Sequence, residues 1–318
     1  MTDYADLSTR EAFGKIIAEL GRQNRDIIVL DADLSRSTMT KYFAQENPGQ
    51  FIQCGLSEQN MIGVAAGLSS CGKIPFASSF AVFASSRCFD QVRMSVAQPK
   101  TNVKVAATHG GITVGEDGSS HQAIEDLSLY CSLPNFNVCV PSDSIETVEI
   151  IKAAVATTGP FYIRLGRPKT PVIYRDGCHF KLGKADMLRD GSDACITATG
   201  IMVSKALDAA DALSKKGINC RVLNFSTLKP IDREAIVKAA QETGAIVTAE
   251  EHLLHGGLGS MVAQIVSEHH PVPVHSIGIN DTYCKSGKPD ELLEIHGLTE
   301  QGIIPSVEGV IKRKSSNR

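Results

Sequence analysis

Short apolar runs alternate with helical patterns along the chain, and this alternation is the feature that most limits the possible folds. In the first half, the runs predict strands at Asp26–Asp31, Ile74–Ser78, Val103–Thr108, Phe136–Val140 and Phe161–Arg164. Helical patterns lie between them at 9–23, 58–70, 80–97 and 143–157, the first opened by a capping box at Ser8 and Glu11. Continuous apolar strands separated by helices are typical of a parallel sheet that is covered on both faces.

The same pattern resumes in the second half after an interruption. Residues 168–192 are rich in proline, glycine and charge. Strands are then predicted at Ala194–Thr199, Asn219–Asn224, Ala245–Glu250 and Val272–Ser276, with helices at 202–216, 232–242 and 258–269. We therefore predict an α/β protein of two domains with mostly parallel sheets: residues 1–175, a linker over 176–192, and residues 193–318.

Composition excludes several classes of function. The net charge of -3 gives no electrostatic basis for binding nucleic acid, and the basic segment Lys312–Lys314 is short and terminal. No apolar run approaches the roughly 18 residues that a membrane helix needs, and the polar N-terminus is unlike a signal peptide. The nine cysteines form no C-x-x-C pair, which favours reduced thiols in the cytoplasm over disulfides or zinc.

Ligands of parallel sheets bind beyond the carboxyl ends of the strands, so the loops that follow the strands are the candidate site. Asp33 follows the first strand and could either cap a turn or face a ligand. Glu58 begins a predicted helix, where a carboxylate is either favoured by the helix dipole or buried as a proton relay. Phe80 and Phe83 would share a helix face, which suits either core packing or a pocket wall.

The most polar of these loops spans residues 109–122. It contains two histidines, two acids and four glycines, a composition that suits a polar site better than a core. Neither His109 nor His121 has a second histidine four residues away or a cysteine nearby, so hydrogen bonding to hydroxyls or phosphate fits better than a metal. Arg167 follows the fifth strand. The glycines of 255–259 lack dinucleotide-motif spacing and predict a tight strand-to-helix turn.

These pieces, in this order, resemble the C-terminal half of transketolase, in which a pyrimidine-binding domain precedes the transketolase C-terminal domain. The resemblance covers nearly the whole chain. It is strongest across the segments DADLSRS, GLSEQNM, SFAVF, FDQVRMS, THGGITVGEDGSSHQAIEDLS and IRLGRP. It implies an enzyme that transfers a two-carbon ketol unit between sugar phosphates through thiamine diphosphate.

The resemblance also implies which residues meet the cofactor. Glu58 matches the glutamate that hydrogen-bonds N1′ of the aminopyrimidine ring. Phe80 and Phe83 match aromatic residues of the pocket for that ring, and Asp33 and Leu34 match a motif that lies near the cofactor. The cofactor's own 4′-imino group removes the C2 proton, which requires a carboxyl group at N1′ that is shielded from water.

The substrate-binding residues implied by the resemblance form a second group. The family's histidines and aspartate correspond to His109, Asp117 and His121, and both histidines are candidates for proton transfer near neutral pH. The residues that hold the sugar phosphate together with His109 correspond to Arg10, Ser37 and Arg167. From its position alone, Arg10 could also be a surface charge in a first helical turn.

Two features depart from a complete transketolase. The third aromatic residue of the cofactor pocket, a tyrosine in the family, falls at Ser86. The family's N-terminal domain, with its G-D-G motif for the diphosphate and metal, has no counterpart here. The resemblance therefore implies a separately encoded N-terminal-section partner that binds Mg²⁺. It also implies two copies of each chain in an α2β2 assembly that is active only as a pair.

Other assignments stay open at this point. A 1-deoxy-xylulose-5-phosphate synthase-like half and a 2-oxoacid dehydrogenase E1 β-like subunit share the glutamate and the two-domain plan. A non-catalytic regulatory subunit with the same fold is an alternative of another class. The sequence does not indicate which ketose and aldose are used.

Overall fold

Two sheets organise the chain, which a computed structural model describes over residues 4–175 and 177–316. The predicted domain ends at residues 1 and 318, and the first residue of the predicted linker, 176, lie outside the described residues. The strands are β1 (Ile27–Asp31), β2 (Phe51–Gln53), β3 (Ile74–Phe80), β4 (Lys104–Thr108), β5 (Asn137–Cys139), β6 (Phe161–Arg164), β7 (Asp186–Arg189), β8 (Ala194–Ala198), β9 (Cys220–Asn224), β10 (Thr227–Lys229), β11 (Ile246–Leu253) and β12 (Val274–Ile279).

Helices flank both sheets. They are α1 (Thr9–Gln23), α2 (Ser35–Thr38), α3 (Lys41–Glu46), α4 (Glu58–Ser70), α5 (Phe89–Gln91), α6 (Asp126–Ser132), α7 (Ser144–Ala156), α8 (Met202–Ser214), α9 (Arg233–Thr243), α10 (Leu258–His269), α11 (Pro289–Ile295) and α12 (Glu300–Ser316). The predicted capping box opens α1: the Ser8 hydroxyl accepts from the Glu11 backbone N–H, and the Glu11 carboxylate accepts from Ser8. None of the helices in the described residues has the length and hydropathy to span a membrane.

The first sheet has the strand order β10-β5-β6-β4-β3-β1-β2. Every neighbouring pair except β10 with β5 is parallel. Strands β1, β4 and β6 are buried along their whole length, which explains why they read as continuous apolar runs. The α/β class with mostly parallel sheets is thus confirmed.

The second sheet has the order β12-β11-β8-β9-β7 and is parallel except for β7. From β8 the chain adds β9 on one side and later β11 on the other. Four predicted strands of this half correspond to β8, β9, β11 and β12, with β12 beginning two residues later than expected. Helices α8, α9 and α10 lie where helical patterns were predicted.

The boundary between the two halves is more interwoven than a plain linker. Strand β7 lies within the segment predicted as a linker and pairs with β9. Strand β10, from the second half, joins the edge of the first sheet by pairing with β5. The Asp143 carboxylate also accepts hydrogen bonds from the backbone N–H groups of Ile173 and Tyr174. The connection is therefore held in place by backbone hydrogen bonds that composition does not reveal.

The predicted helix over 80–97 is replaced by a composite structure. Phe80 is the last residue of β3, where it pairs with Thr108 of β4. Two π-helical turns, Phe83–Arg87 and Val92–Ala97, then flank the short α5. The expectation that Phe80 and Phe83 lie on one helix face is therefore wrong, because sheet pairing extends the strand past the predicted helix start.

Candidate active site

Glu58 is a buried carboxylate at the start of a helix. It is the first residue of α4 and is only 2% exposed. The positive end of the helix dipole favours a negative charge at this position. The guanidinium of Arg87 donates to Oε1 of Glu58 at 2.9 Å, and the Arg87 side chain is half exposed. Glu58 thus has the shielding that a proton relay requires, and one charged partner that the sequence did not indicate.

Two phenylalanine rings form an aromatic wall beside this carboxylate. The rings of Phe80 and Phe83 are stacked, with centroids 5.8 Å apart and planes 11° apart. Arg87 lies over the face of Phe83, 4.3 Å from its centroid. Arg87 follows Phe83 by four residues, a spacing at which side chains lie on the same side of a helical segment. Ser86 is exposed, and its hydroxyl donates to the Val82 carbonyl.

Both predicted histidines contact this wall. His109 stacks on Phe80 with ring centroids 3.8 Å apart, and its backbone has a positive φ of 61° immediately after β4. His121 meets Phe83 edge-on, with centroids 5.4 Å apart. The two ends of the polar loop are therefore brought together at one aromatic surface, which extends from Glu58 to the histidines.

His109 is a neutral hydrogen-bonding group. An Arg10 nitrogen lies 3.4 Å from Nε2, and Thr108 Oγ1 lies 2.8 Å from Nδ1. Because arginine can only donate, Nε2 must accept, so we assign the proton to Nδ1, which donates to Thr108. Burial, followed by the nearby charges of Arg10 and Arg167, lowers the pKa of His109 to about 3. The expectation that His109 titrates near neutral pH is therefore wrong.

Arg10 is partly buried between Ser37 and His109 and is not a surface charge. Its Nη1 donates to the Ser37 carbonyl at 2.9 Å, and burial lowers the pKa of the guanidinium. The Nε–H of Arg10 is buried and has no hydrogen-bond partner among the described residues. Ser37, predicted to meet the phosphate, bonds Arg10 through its backbone. Arg10 thus has one N–H donor that no described residue accepts from.

Arg167 and Asp117 also lie together. Arg167 donates to the Val114 carbonyl, and its Nη1 is 3.6 Å from the carboxylates of both Glu116 and Asp117. The Asp117 side chain is 45% exposed and that of Arg167 is 36% exposed, so both can reach a ligand in solvent. After burial, the positive charge of Arg167 also contributes to lowering the pKa of Arg10, so the two predicted phosphate ligands influence each other.

The loop after β1 is arranged by a residue that the sequence reasoning missed. Asp33 is exposed, has a φ of 65°, and donates its N–H to Gln53. The N–H of Leu34 donates to the carboxylate of Asp31 at 2.6 Å. Asp31 is fully buried and also accepts from Thr38, while burial raises its pKa. The sequence could have indicated Asp31, because it is a carboxylate at the carboxyl end of a predicted strand.

Within residues 4–175 and 177–316, no three histidine, cysteine or acidic side chains form a group that could hold a metal ion. Glu116 and Asp117 face Arg167 instead of a third acid. All nine cysteines are unpaired. The fold thus brings together two aromatic rings, two histidines, a buried carboxylate and three arginines.

Comparison with protein families explains this arrangement. Residues 5–172 match the family model described as "Transketolase, pyrimidine binding domain", and residues 183–303 match "Transketolase, C-terminal domain". The chain therefore belongs to the transketolase family, as its sequence motifs indicated. Glu58, the stacked phenylalanines and both histidines all fall in the first of these domains.

Individual relatives show which part of a transketolase the chain matches. The chain is 44% identical over 308 residues to a "Putative transketolase C-terminal section" from Methanocaldococcus jannaschii, with 96% of each protein covered. It is 37% identical to human transketolase, of which it spans 49%. A solved structure described as "Split gene transketolase, inactive beta4 tetramer" is 50% identical, with a TM-score of 0.91 and coverage of 97% of this chain and 99% of that one. The chain is homologous to the C-terminal section of transketolases.

Proposed function

We propose that this chain is the C-terminal-section subunit of a split transketolase, which transfers a two-carbon ketol unit between sugar phosphates with thiamine diphosphate. The observation that carries the proposal is the Glu58 carboxylate, which is 2% exposed and borders a wall of stacked aromatic rings. A carboxyl group held away from water beside a flat apolar surface suits recognition of a planar ring with a basic nitrogen at its edge.

The contacts of Arg87 support the fit of that ring. Its planar guanidinium lies against the face of Phe83 and donates from its edge to Oε1 of Glu58. An aminopyrimidine ring would use the same two kinds of contact, stacking by its face and bonding by its edge. The Arg87 side chain is half exposed on a flexible stem, so it can turn into solvent when a ring takes this position.

The residues of this chain would then have separate roles. When bound, thiamine diphosphate supplies the nucleophilic carbon for cleaving and forming the carbon–carbon bond. Glu58 would hold a proton at N1′ of the cofactor. Phe80 and Phe83 would exclude water from that contact, which strengthens it electrostatically. Asp33 and Leu34 would lie at the border of the same cleft, on the loop after β1.

The polar loop and the arginines would bind the sugar phosphate. His109 is neutral and its Nδ1 is held by Thr108, so its Nε2 would accept a hydrogen bond from the substrate in place of the one from Arg10. His121 is the remaining candidate for proton transfer, and Asp117 suits a sugar hydroxyl. Arg10, with Ser37 behind it, and Arg167 would bind the terminal phosphate, because the arginine fork matches phosphate oxygens.

The remaining parts of the active site would come from a partner. We propose an N-terminal-section subunit that binds the diphosphate and Mg²⁺, in an α2β2 assembly located in the cytoplasm. In support, a relative of the same length is named a transketolase C-terminal section, and other subunit-sized relatives are named as subunits of transketolases for 6-deoxy-6-sulfo-D-fructose and apulose 4-phosphate. Substrates beyond the common sugar phosphates are therefore part of the proposal's test.

The test is reconstitution of the chain with its N-terminal-section partner. Ketol transfer is measured with a panel of ketose phosphates and with 6-deoxy-6-sulfo-D-fructose, in the presence of thiamine diphosphate and Mg²⁺, for the wild type and the Glu58→Gln and Glu58→Ala variants. We expect activity only in the pair. Either variant should retain less than about a tenth of it, which corresponds to a loss of more than about 1.4 kcal/mol of transition-state stabilisation. Glu294→Gln, an exposed carboxylate in the second domain, is the control.

Each outcome bears on a different part of the proposal. A wild-type pair that binds both subunits but transfers no ketol unit would refute the split transketolase. Decarboxylation of pyruvate by the pair would instead favour a 1-deoxy-xylulose-5-phosphate synthase-like or 2-oxoacid dehydrogenase-like enzyme. A pair that binds no cofactor would favour the regulatory subunit. Retention of more than a tenth of the turnover by Glu58→Gln would remove Glu58 from its assigned role.

A further inference from the structure

The polar loop of the first domain is packed into the second domain. Ile112, in the middle of the loop, is fully buried and belongs to the apolar core that β8, β11 and α12 of the second domain build. The neighbouring Thr113 donates its backbone N–H to Oε1 of Glu251, on β11, at 2.7 Å. The second domain therefore contacts the loop by both an apolar side chain and a buried carboxylate.

The loop backbone is shaped around the Glu251 carboxylate. Gly111 has a φ of 79°, and a Cβ atom placed there would lie 2.1 Å from the carboxyl carbon of Glu251. Backbone N–H groups of Ile112 and Thr113 both face the carboxylate. Successive N–H groups that converge in this way form a concave anion site, which here is filled by a side chain of the other domain.

A buried arginine closes the opposite side of the loop. Arg164, at the end of β6, donates through Nη2 to the carbonyls of Ala123 and Glu251, at 2.8 and 2.9 Å. A Cβ at Gly110 would lie 2.5 Å from its Nε atom. Gly110 and Gly111 are thus held between Arg164 and Glu251, and His109 directly precedes them.

The far end of the loop has its own contact with the second domain. Gln122 donates to the backbone carbonyl of Lys285 at 3.1 Å. A Cβ at Gly118 would lie 2.4 Å from the hydroxyl oxygen of Ser286. These contacts flank Asp117 and His121, so both ends of the loop are fixed by the second domain.

We infer that Glu251 is a positioning residue, through which the second domain sets the conformation of the substrate loop that carries His109, Asp117 and His121. The inference deepens the proposed function, because it depends on that loop binding the sugar phosphate. It also gives the second domain a role in the site although none of its residues lies among the predicted ligands. Glu251 acts on the loop and not on the buried end of the cofactor pocket at Glu58.

The test compares Glu251→Ala and Glu251→Gln with a neighbouring control. Glutamine keeps one acceptor oxygen and replaces the other by a donor, so its effect should be smaller than that of alanine. The control is Glu250→Gln. Glu250 is equally buried, but its carboxylate accepts from Leu258 and Gly259 of its own domain, at 2.8 Å each. Glu250→Gln should therefore remove one hydrogen bond at the start of α10 without removing a loop contact.

The first readout is hydrogen exchange in the isolated chain, which does not depend on catalysis. We expect backbone amides at 110–114 to exchange at least tenfold faster in Glu251→Ala, to an intermediate degree in Glu251→Gln, and at the wild-type rate in Glu250→Gln. Unchanged exchange at 110–114 in the Glu251 variants would overturn the inference. The same acceleration in Glu250→Gln would overturn it as well, because a general loss of stability would then explain the result.

The second readout separates substrate from cofactor in the reconstituted pair. We expect the KM for a ketose phosphate to rise about tenfold in Glu251→Gln, with the Kd for thiamine diphosphate within twofold of the wild type. Parallel weakening of both would contradict a positioning role. If the wild-type pair proves inactive, the proposed function fails, while the exchange experiment still decides whether Glu251 holds the loop. If Glu251→Ala does not fold, Glu251→Gln decides both readouts.

Discussion

Replacement of Arg10 by methionine tests the phosphate site most directly. Methionine keeps most of the length and packing of the side chain but removes the guanidinium. Arg10 uses Nη1 for the Ser37 carbonyl and His109, while its buried Nε–H has no partner in the described parts of the chain. The variant therefore removes donors that a phosphate would use, with little change in side-chain volume.

The magnitude follows from the charge and the partial burial of Arg10. Hydrogen bonds to a charged group contribute about 1.5–3 kcal/mol each. Arg10 is partly exposed, so we take the lower value, and two bonds to phosphate correspond to about 3 kcal/mol, or roughly a hundredfold in kcat/KM. An unphosphorylated ketose would lose only the indirect support of His109, for which we expect less than about a tenfold effect.

The assay is steady-state ketol transfer by the reconstituted pair, with matched phosphorylated and unphosphorylated donors. Arg22→Met is the control, since Arg22 lies on the same helix but forms an exposed pair with Glu46. It should change kcat/KM by less than about twofold for either donor. An equal loss with both donors in Arg10→Met would refute phosphate binding by Arg10 and indicate a purely structural role.

Two predictions concern stability. Arg164→Met leaves Asp126 buried without its ion-pair partner, whose Nε lies 2.9 Å from the carboxylate. We expect the free energy of unfolding, measured by urea titration, to fall by about 3–5 kcal/mol. Glu149→Ala, which breaks an exposed pair with Lys152, should cost less than about 1 kcal/mol; similar losses in both variants would contradict the reasoning. His109→Gln should reduce acid sensitivity. In the unfolded chain the His109 side chain binds a proton below about pH 6.5, whereas in the folded chain it does so only near pH 3. As the pH falls from about 8 to 5, the wild type should therefore lose about 2 kcal/mol of stability relative to the variant, most of it below pH 6.5; parallel pH profiles would contradict a buried neutral ring.

Much of the fold was predictable because its signals are local. Buried strands such as β1 and β4 read as apolar runs, and the capping box marks the start of α1. The short strands β7 and β10 carry no such signal. Strand β7 forms by pairing with β9, and β10 forms by pairing with β5; neither partner is a neighbour in the sequence. Partner strands, and not propensity, determine short strands of this kind.

The candidate site was predictable to a similar degree. Strand-end loops and the start of a helix placed Glu58 and the histidines at one edge of the sheet. The pairing of Arg87 with Glu58 was not predictable, because it joins two helical segments whose residues are 29 positions apart in the sequence. Nor was the neutral state of His109, which depends on burial and on Arg10, 99 residues away.

Local patterns in the amino-acid sequence were enough to predict the alternation of strands and helices, the family, and the residue types available for the chemistry, since periodicity and motifs are properties of neighbouring residues. The protonation of His109, the Glu58–Arg87 pair and the hydrogen bond between Glu251 and the polar loop depend on the three-dimensional fold. Each of these arises from burial and from charges brought together by distant segments, and the energies of both depend on three-dimensional surroundings.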